Sequence, residues 1–177
     1  MTEKRLRVFY ALWPAPPLQH ALAGWGRCMQ RELGGRLTRA ETIHLTLAFI
    51  GEVASDRIAA LRAIGERLNG AAVELVIDRV GCWPHNGIAW AGATATPQPV
   101  SGLVTELRRQ LSLQGFAVED RAFAAHVTLL RRATCVSLTW RPPQSIVWAV
   151  QRFALVRSVP GADGSTYSEL AVWPLQG

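Results

Sequence analysis

The spacing of apolar residues along the chain predicts helices separated by pairs of strands. Apolar residues recur at steps of three and four, as on one face of a helix, over residues 18–33, 56–68 and 100–113. Gly34 follows the first of these helices as a stop signal, and Ser55 has the position of an N-cap for the second. Short apolar runs bounded by Gly, Pro and polar turns predict strands at residues 5–13, 36–40, 43–50, 73–80, 87–92, 117–119, 126–131, 147–156 and 165–172.

The order of these elements indicates the fold class. Pairs of strands lie between the helices, so the strict alternation that builds a doubly wound parallel sheet is missing. We therefore predict an α+β fold with mainly antiparallel sheets. A length of 177 residues suits one domain, or two small lobes that share a core. The sequence has no GxGxxG or GxxxxGK[ST] pattern, which argues against a dinucleotide or P-loop site.

Composition and charge narrow the function classes. Apolar residues make up 49% of the chain and charged residues 18%, which favours a packed core and excludes a coiled coil or a charged linker. The net charge is +6, and Lys4 is the only lysine, so 18 of the 19 cations are arginines. Codon bias explains such an excess, and so does a need for forked guanidinium groups that hold phosphate. The charge by itself favours a nucleic acid or another polyanion only weakly.

The cysteines and the N-terminus indicate a compartment. Cys28, Cys82 and Cys135 are odd in number and form no CxxC pair, which argues against a disulfide framework or a zinc site and favours a reducing compartment. The apolar run at residues 8–13 is too short for a signal peptide, and no run of about 20 apolar residues indicates a membrane span. We expect a cytoplasmic protein without a membrane partner.

Two short strings carry the candidate chemistry. His44 and Thr46 stand in HLTL, and His126 and Thr128 stand in HVTL, in a chain with four histidines. Shuffling this composition yields two such matches roughly 3 times in 10,000. On a strand, residues i and i+2 face the same way, so each string presents an imidazole beside a hydroxyl while its apolar residues enter the core.

Two imidazoles in one cleft suit phosphodiester chemistry without a metal. One takes a proton from the attacking oxygen and the other gives a proton to the leaving oxygen. Threonine hydroxyls and an arginine would stabilise the charge that grows on the non-bridging oxygens. The sequence offers no Asp/Glu/His cluster for a binuclear metal site, and no cofactor is expected.

The segments HLTLAFIGEV (residues 44–53), DRAFAAHVTLLR (residues 120–131) and RLRVFYALWPAP at the N-terminus resemble a known family. They are similar to bacterial and archaeal RNA 2′,3′-cyclic phosphodiesterases, members of the two-histidine (2H) phosphoesterase superfamily that are often called 2′-5′ RNA ligases. The resemblance implies a bilobal, pseudo-twofold α+β fold over a single domain, 1–177, in which two mainly antiparallel sheets flank a central cleft. Helices would lie outside, and each lobe would give one HxTx motif.

The resemblance also implies roles for individual residues. His44 would be the proton donor to O3′ and His126 the proton acceptor that activates water, so that a 2′,3′-cyclic phosphate opens to a 2′-phosphate. Thr46 and Thr128 would bind the phosphate oxygens. Arg131, the last residue of the family's HxTLxR pattern, would be a further phosphate ligand, although its place on an alternating strand requires a bulge or a strand end. The family often has Arg-Pro before the second histidine, where this chain has two alanines.

The implied partner is RNA with a 2′,3′-cyclic phosphate terminus, including tRNA fragments. The resemblance also implies a monomer, and reverse 2′-5′ ligation as a second reaction. Two alternatives stay open: a cyclic phosphodiesterase for a small nucleotide or a 2′-5′ oligonucleotide, and a non-catalytic module that binds RNA ends. Glu41 and Glu119 are candidates to orient an imidazole, whereas His20 and His85 are expected at the surface. The candidates for stacking a terminal base are Phe9, Phe49 and Trp90.

Overall fold

The computed structural model describes residues 4–162 and 164–177. Within these residues the helices are α1 (Pro16–Leu33), α2 (Ile58–Arg67) and α3 (Gln98–Leu113). The strands are β1 (Arg5–Leu12), β2 (Arg36–Leu37), β3 (Leu45–Ala54), β4 (Val73–Ile77), β5 (Arg79–Trp83), β6 (Ile88–Gly92), β7 (His126–Arg131), β8 (Ile146–Val150), β9 (Arg152–Val159) and β10 (Thr166–Pro174). The predicted α+β class is confirmed.

Antiparallel pairing builds the sheets. Eight strands form one sheet in the order β10-β9-β1-β3-β7-β6-β5, with β2 also paired to β7, while β4 and β8 form a separate two-stranded ladder. The strands β3 and β7 join the two halves of the large sheet through one register pair, Leu45 opposite Val127. The two HxTx motifs therefore meet at the junction of the halves.

The main core lies between this sheet and the three helices. Val8, Tyr10 and Leu12 alternate into it from β1, and the buried stripes of the helices cover it from the other side. The Tyr10 hydroxyl, which is fully buried, donates a 2.6 Å hydrogen bond to the Leu61 carbonyl of α2. The opposite face of the same strands carries a small second cluster of Phe9, Ala11, Ala154 and Val156.

Several predicted elements differ from the structure. The predicted strand 147–156 is two strands in two sheets, because β8 pairs with β4 whereas β9 pairs with β1 and β10. The predicted strand 73–80 divides in the same way into β4 and the start of β5. Residues 117–119 form no strand, and the strand predicted at 36–40 is only the two residues of β2. Ser55 begins a 3₁₀ turn and makes no side-chain cap for α2.

The cysteines correct one expectation. The structure joins Cys82 of β5 and Cys135, beyond β7, in a disulfide across 53 residues, with Cα atoms 5.5 Å apart. Composition did not indicate this pair, because neither cysteine belongs to a recognisable spacing motif. The result is one cross-link and not a framework of several, and Cys28 is unpaired. Among the residues described, no helix is both long and apolar enough to cross a membrane.

Candidate active site

The register of β3 and β7 places the two motifs against each other. Leu45 lies opposite Val127 in an antiparallel pair, so one step along each strand sets His44 across from Thr128. The same step in the other direction sets Thr46 across from His126. The two leucines of the first motif are buried, while its histidine and threonine are half-buried on the other face. Each histidine thus faces the threonine of the opposite half, which gives the cleft a local twofold symmetry.

A hydrogen bond fixes the tautomer of each imidazole in the same way. Nδ1 of His44 donates to the Thr42 carbonyl at 2.7 Å, and Nδ1 of His126 donates to the Ala124 carbonyl at 2.7 Å. A carbonyl oxygen only accepts, so Nδ1 carries the hydrogen in both rings. Nε2 of each neutral imidazole therefore keeps a free lone pair, which is the state that a general base requires.

Aromatic rings hold the two imidazoles, and the first is enclosed more completely. Trp13 stacks on His44 with the ring centroids 4.9 Å apart and an angle of 6° between the planes. Phe9 packs against His44 at 4.9 Å, and Tyr167 meets it edge-on at 5.1 Å. Trp83 packs edge-on against His126, with the ring centroids 4.6 Å apart and an angle of 77° between the planes.

This packing changes the proton affinity of both histidines. Burial, which disfavours the charged form, lowers the pKa of His44 from 6.5 to about 4. The hydrogen bond to Thr42 opposes that shift, while the nearby charges of Arg131 and His126 add to it. Burial also lowers the pKa of His126, against the hydrogen bond to Ala124. Both rings therefore favour the neutral form at pH 7.

The cleft around the dyad has a volume of about 760 Å³, and its wall is rich in arginine. The four motif residues line it together with six arginines and, among residues 4–162 and 164–177, a single carboxylate, that of Glu119. The six arginines are Arg7, Arg36, Arg39, Arg108, Arg121 and Arg131. Such a surface attracts an anion and offers it forked donors, as a phosphate site requires.

Arg131 lies in this wall because β7 contains the bulge that its role requires. Thr128 pairs with Trp90, but Leu130 pairs with Ala89, so β7 advances two residues while β6 advances one. Leu129 and Leu130 are consecutive buried residues as a result, and Arg131 returns to the side of the histidines.

Arg121 supplies a positive charge near His126, where this chain lacks the arginine that the family often has just before the second histidine. Arg121 lines the cleft, and its charge lowers the pKa of His126, so its guanidinium lies within electrostatic reach of that ring. It is also paired with Glu119 at 2.8 Å. Arg121 belongs to no motif in the sequence, and its place five residues before His126 is the one sequence signal for it.

The other candidates divide between the site and the surface. Glu41 pairs with Arg39 at 3.6 Å and does not orient an imidazole; backbone carbonyls perform that task. His20 and His85 are exposed, as predicted. Of the candidate stacking residues, Phe9 and Phe49 both line the cleft, and Phe49 is 36% exposed whereas Phe9 is only 3% exposed.

No cluster of three or more His, Cys, Asp or Glu side chains suited to a metal ion occurs in residues 4–162 and 164–177. Two pseudo-symmetric halves, each giving one His-x-Thr strand to a shared arginine-lined cleft, define a two-histidine phosphoesterase.

Comparisons with known proteins agree with this class. Residues 12–90 match the family model described as LigT like Phosphoesterase. The RNA 2′,3′-cyclic phosphodiesterase of Escherichia coli strain K12 is 30% identical over 172 residues, which cover 96% of this chain and 96% of that protein. The chain therefore belongs to the LigT-like phosphoesterases.

Solved structures are also similar over their whole length. A crystal structure of a phosphoesterase matches with a TM-score of 0.92 and 28% identity, covering 98% of this chain and 100% of that one. The crystal structure of E. coli LigT complexed with 3′-AMP matches with a TM-score of 0.89 and 27% identity, again covering 98% and 100%.

Proposed function

We propose that this protein hydrolyses RNA 2′,3′-cyclic phosphate ends to 2′-phosphates, without a metal ion, by two-histidine acid–base catalysis. The observation that carries the proposal is the pair of imidazoles, each held at Nδ1 by a backbone carbonyl and each with Nε2 free in one arginine-lined cleft. The E. coli relative is named for this activity.

The reaction is an in-line displacement at phosphorus. Nε2 of His126 takes a proton from water as the water oxygen attacks phosphorus, and the bond from phosphorus to O3′ breaks. His44 gives a proton to O3′, which leaves as a hydroxyl, while O2′ keeps the phosphate. Hydroxyls of Thr46 and Thr128 and the guanidinium of Arg131 bind the non-bridging oxygens, where negative charge grows in the transition state.

The donor role of His44 requires that substrate binding change its protonation. A pKa of about 4 leaves His44 neutral near pH 7 before the substrate enters. A phosphate anion in the cleft favours the charged form of a neighbouring imidazole and offsets the charge of Arg131. The substrate therefore raises the pKa of His44 and supplies the conditions under which the ring holds the proton that O3′ receives.

The same groups serve the ligation direction. A 2′-5′ linkage forms when the 5′ hydroxyl of a second RNA end, in place of water, attacks the cyclic phosphate. His126 again takes the proton from the attacking oxygen, and His44 again gives a proton to O3′, which leaves. Hydrolysis prevails in dilute solution, because ligation needs two RNA ends held at high effective concentration.

The test incubates the protein, with EDTA present, with an oligoribonucleotide that ends in 2′,3′-cyclic phosphate and identifies the product phosphate. A 2′-phosphate is expected, with a loss of at least about 100-fold in both His44→Ala and His126→Ala. The exposed His20→Ala is the matched control and should retain full activity. Binding of the RNA end with no turnover would instead establish a binding module, and turnover that survives both substitutions would contradict the dyad.

A further inference from the structure

Four of the six arginines that line the cleft already have partners. Arg7 lies over the Phe49 ring at 4.9 Å, and Arg39 donates to the Ser165 carbonyl at 3.0 Å. Arg108 donates to the Arg121 carbonyl at 2.9 Å, and the Arg121 side chain pairs with Glu119. Arg36 and Arg131 make no side-chain hydrogen bond or ion pair with any residue in 4–162 and 164–177.

These two arginines are also direct neighbours across two strands. Arg36 of β2 lies opposite Arg131 of β7 in antiparallel register, so both side chains leave the same face of the sheet. Like charges placed directly opposite destabilise a strand pair, unless an anion lies between or beside them. The backbone nevertheless fixes this position: Gly35, with φ +81°, has a Cα from which a Cβ would lie 2.7 Å from the Arg131 carbonyl oxygen.

Arg36 lies on the His44 side of the cleft. A Cβ on Gly164 would lie 3.5 Å from a guanidinium nitrogen of Arg36, and Tyr167, three residues further along the chain, touches His44. Gly164 and Tyr167 are at most about 10 Å apart along the chain, and both line the cleft together with Arg36 and His44. In the proposed reaction O3′ leaves toward His44, so the nucleoside and the RNA that precedes it lie on this side.

We infer that Arg36, opposite Arg131, forms a second phosphate site for the phosphodiester that joins the terminal nucleotide to the preceding one. The site makes an RNA end, and not a mononucleotide, the preferred substrate of this protein. The inference rests on the proposed function for the direction in which the RNA lies, and it assigns to Arg36 a role separate from the scissile phosphate.

The test compares three substrates. They are adenosine 2′,3′-cyclic phosphate, the dinucleotide ApA with a terminal 2′,3′-cyclic phosphate, and the same dinucleotide with a neutral methylphosphonate as its internal linkage. Arg36→Gln should lower kcat/KM on the dinucleotide by about 10- to 100-fold, as expected for loss of a charged hydrogen bond. On the mononucleotide, kcat/KM of Arg36→Gln should stay within about twofold of the wild type. On the methylphosphonate dinucleotide, whose internal linkage is neutral, the substitution should cause no further loss of kcat/KM.

A matched control and a binding measurement complete the design. Arg67→Gln changes an exposed arginine on α2 outside the cleft and should leave all three rates unchanged. Affinity for ApA with a terminal 2′-phosphate should fall in Arg36→Gln, and its log–log salt dependence should decrease by about 0.7, the value for one phosphate contact on a single strand.

Each other outcome overturns the inference. An equal loss on mononucleotide and dinucleotide would place Arg36 at the scissile phosphate, and no loss on either would leave it without a role in binding. Because the binding measurement needs no turnover, it tests the second phosphate site even if hydrolysis is absent. Absence of hydrolysis in the wild type would contradict the proposed function alone.

Discussion

Replacing His44 by glutamine removes a titrating group whose proton affinity differs strongly between the folded and the unfolded chain. The pKa of His44 is lowered to about 4 in the fold, mainly by burial, against 6.5 for an exposed histidine. Between these values the unfolded chain binds a proton and the folded chain does not. Stability is therefore fully present above about pH 6.5 and is lost as the pH falls toward 4.

The magnitude follows from the difference between the two pKa values. One pKa unit corresponds to about 1.4 kcal/mol, so His44 removes about 3 kcal/mol from the free energy of unfolding between pH 6.5 and pH 4. That is a large part of the roughly 5–15 kcal/mol that stabilises a typical domain. Glutamine has a similar size and an amide that can donate to the Thr42 carbonyl, but it does not titrate.

Urea denaturation at pH 7.5, 6.5, 5.5 and 4.5 measures the effect in the wild type, His44→Gln and the exposed control His20→Gln. The wild type and His44→Gln differ in this one side chain, so the difference between their curves reports the titration of His44 together with any coupling to His126. As the pH falls, the free energy of unfolding of His44→Gln should rise relative to that of the wild type by up to about 3 kcal/mol. The control should run parallel to the wild type.

Parallel curves for the wild type and His44→Gln would refute the reasoning, since they would show that His44 titrates alike in both states. A second readout is the NMR titration of the ring protons. The His44 signal should move at about pH 4 in the free protein and at a higher pH when inorganic phosphate fills the cleft.

Three further changes give expected outcomes. Thr46→Val keeps the shape but removes a hydroxyl from the cleft, and we expect a loss of about 10- to 100-fold in kcat/KM with unchanged thermal stability; an unchanged rate would exclude a phosphate contact. Gly35→Ala should lower the free energy of unfolding by about 1–3 kcal/mol, because its Cβ would lie 2.7 Å from a backbone carbonyl of β7, and by more than Gly34→Ala, where the space is open; equal urea midpoints would contradict this. Cys135→Ala removes the cross-link to Cys82, and loop closure over 53 residues predicts a loss of up to about 4 kcal/mol, matched by adding a reductant to the wild type; insensitivity of the wild type to reductant would show that the disulfide is not formed.

The candidate site was predictable to the extent that it depends on local geometry. Alternation along a strand puts His44 beside Thr46 and His126 beside Thr128 in any half-buried strand, so the sequence pattern specified which faces would meet. Arg131 reaches the cleft only if β7 contains a bulge, and the alternation of residues along a strand cannot predict whether one is present. The pairing of β7 with β6 shows that it is, with Leu129 as the extra residue.

The features that sequence reasoning missed arise from contacts between distant segments. Trp13 and Tyr167 are separated by most of the chain, yet both pack on His44, and no spacing in either segment indicates this. The break of residues 147–156 into two strands also depends on partners, because the two halves of the segment pair with β4 and with β1. An apolar run shows that a segment is buried, but only tertiary pairing decides where it changes sheets.

The backbone of the site is nearly symmetric, so the charges around it must distinguish the acid from the base. Burial lowers the pKa of both imidazoles, and a nearby arginine lowers each further: Arg131 beside His44 and Arg121 beside His126. The two sides differ because Glu119, which pairs with Arg121, opposes this effect at His126. In the proposed mechanism, a phosphate bound to Arg131 offsets the positive charge beside His44 and adds a negative charge to the cleft, so we expect binding to raise the pKa of His44. His126 keeps its paired carboxylate and arginine nearby whether or not substrate is bound. In the proposed mechanism, the substrate itself therefore breaks the symmetry of the two halves and sets the direction of proton transfer.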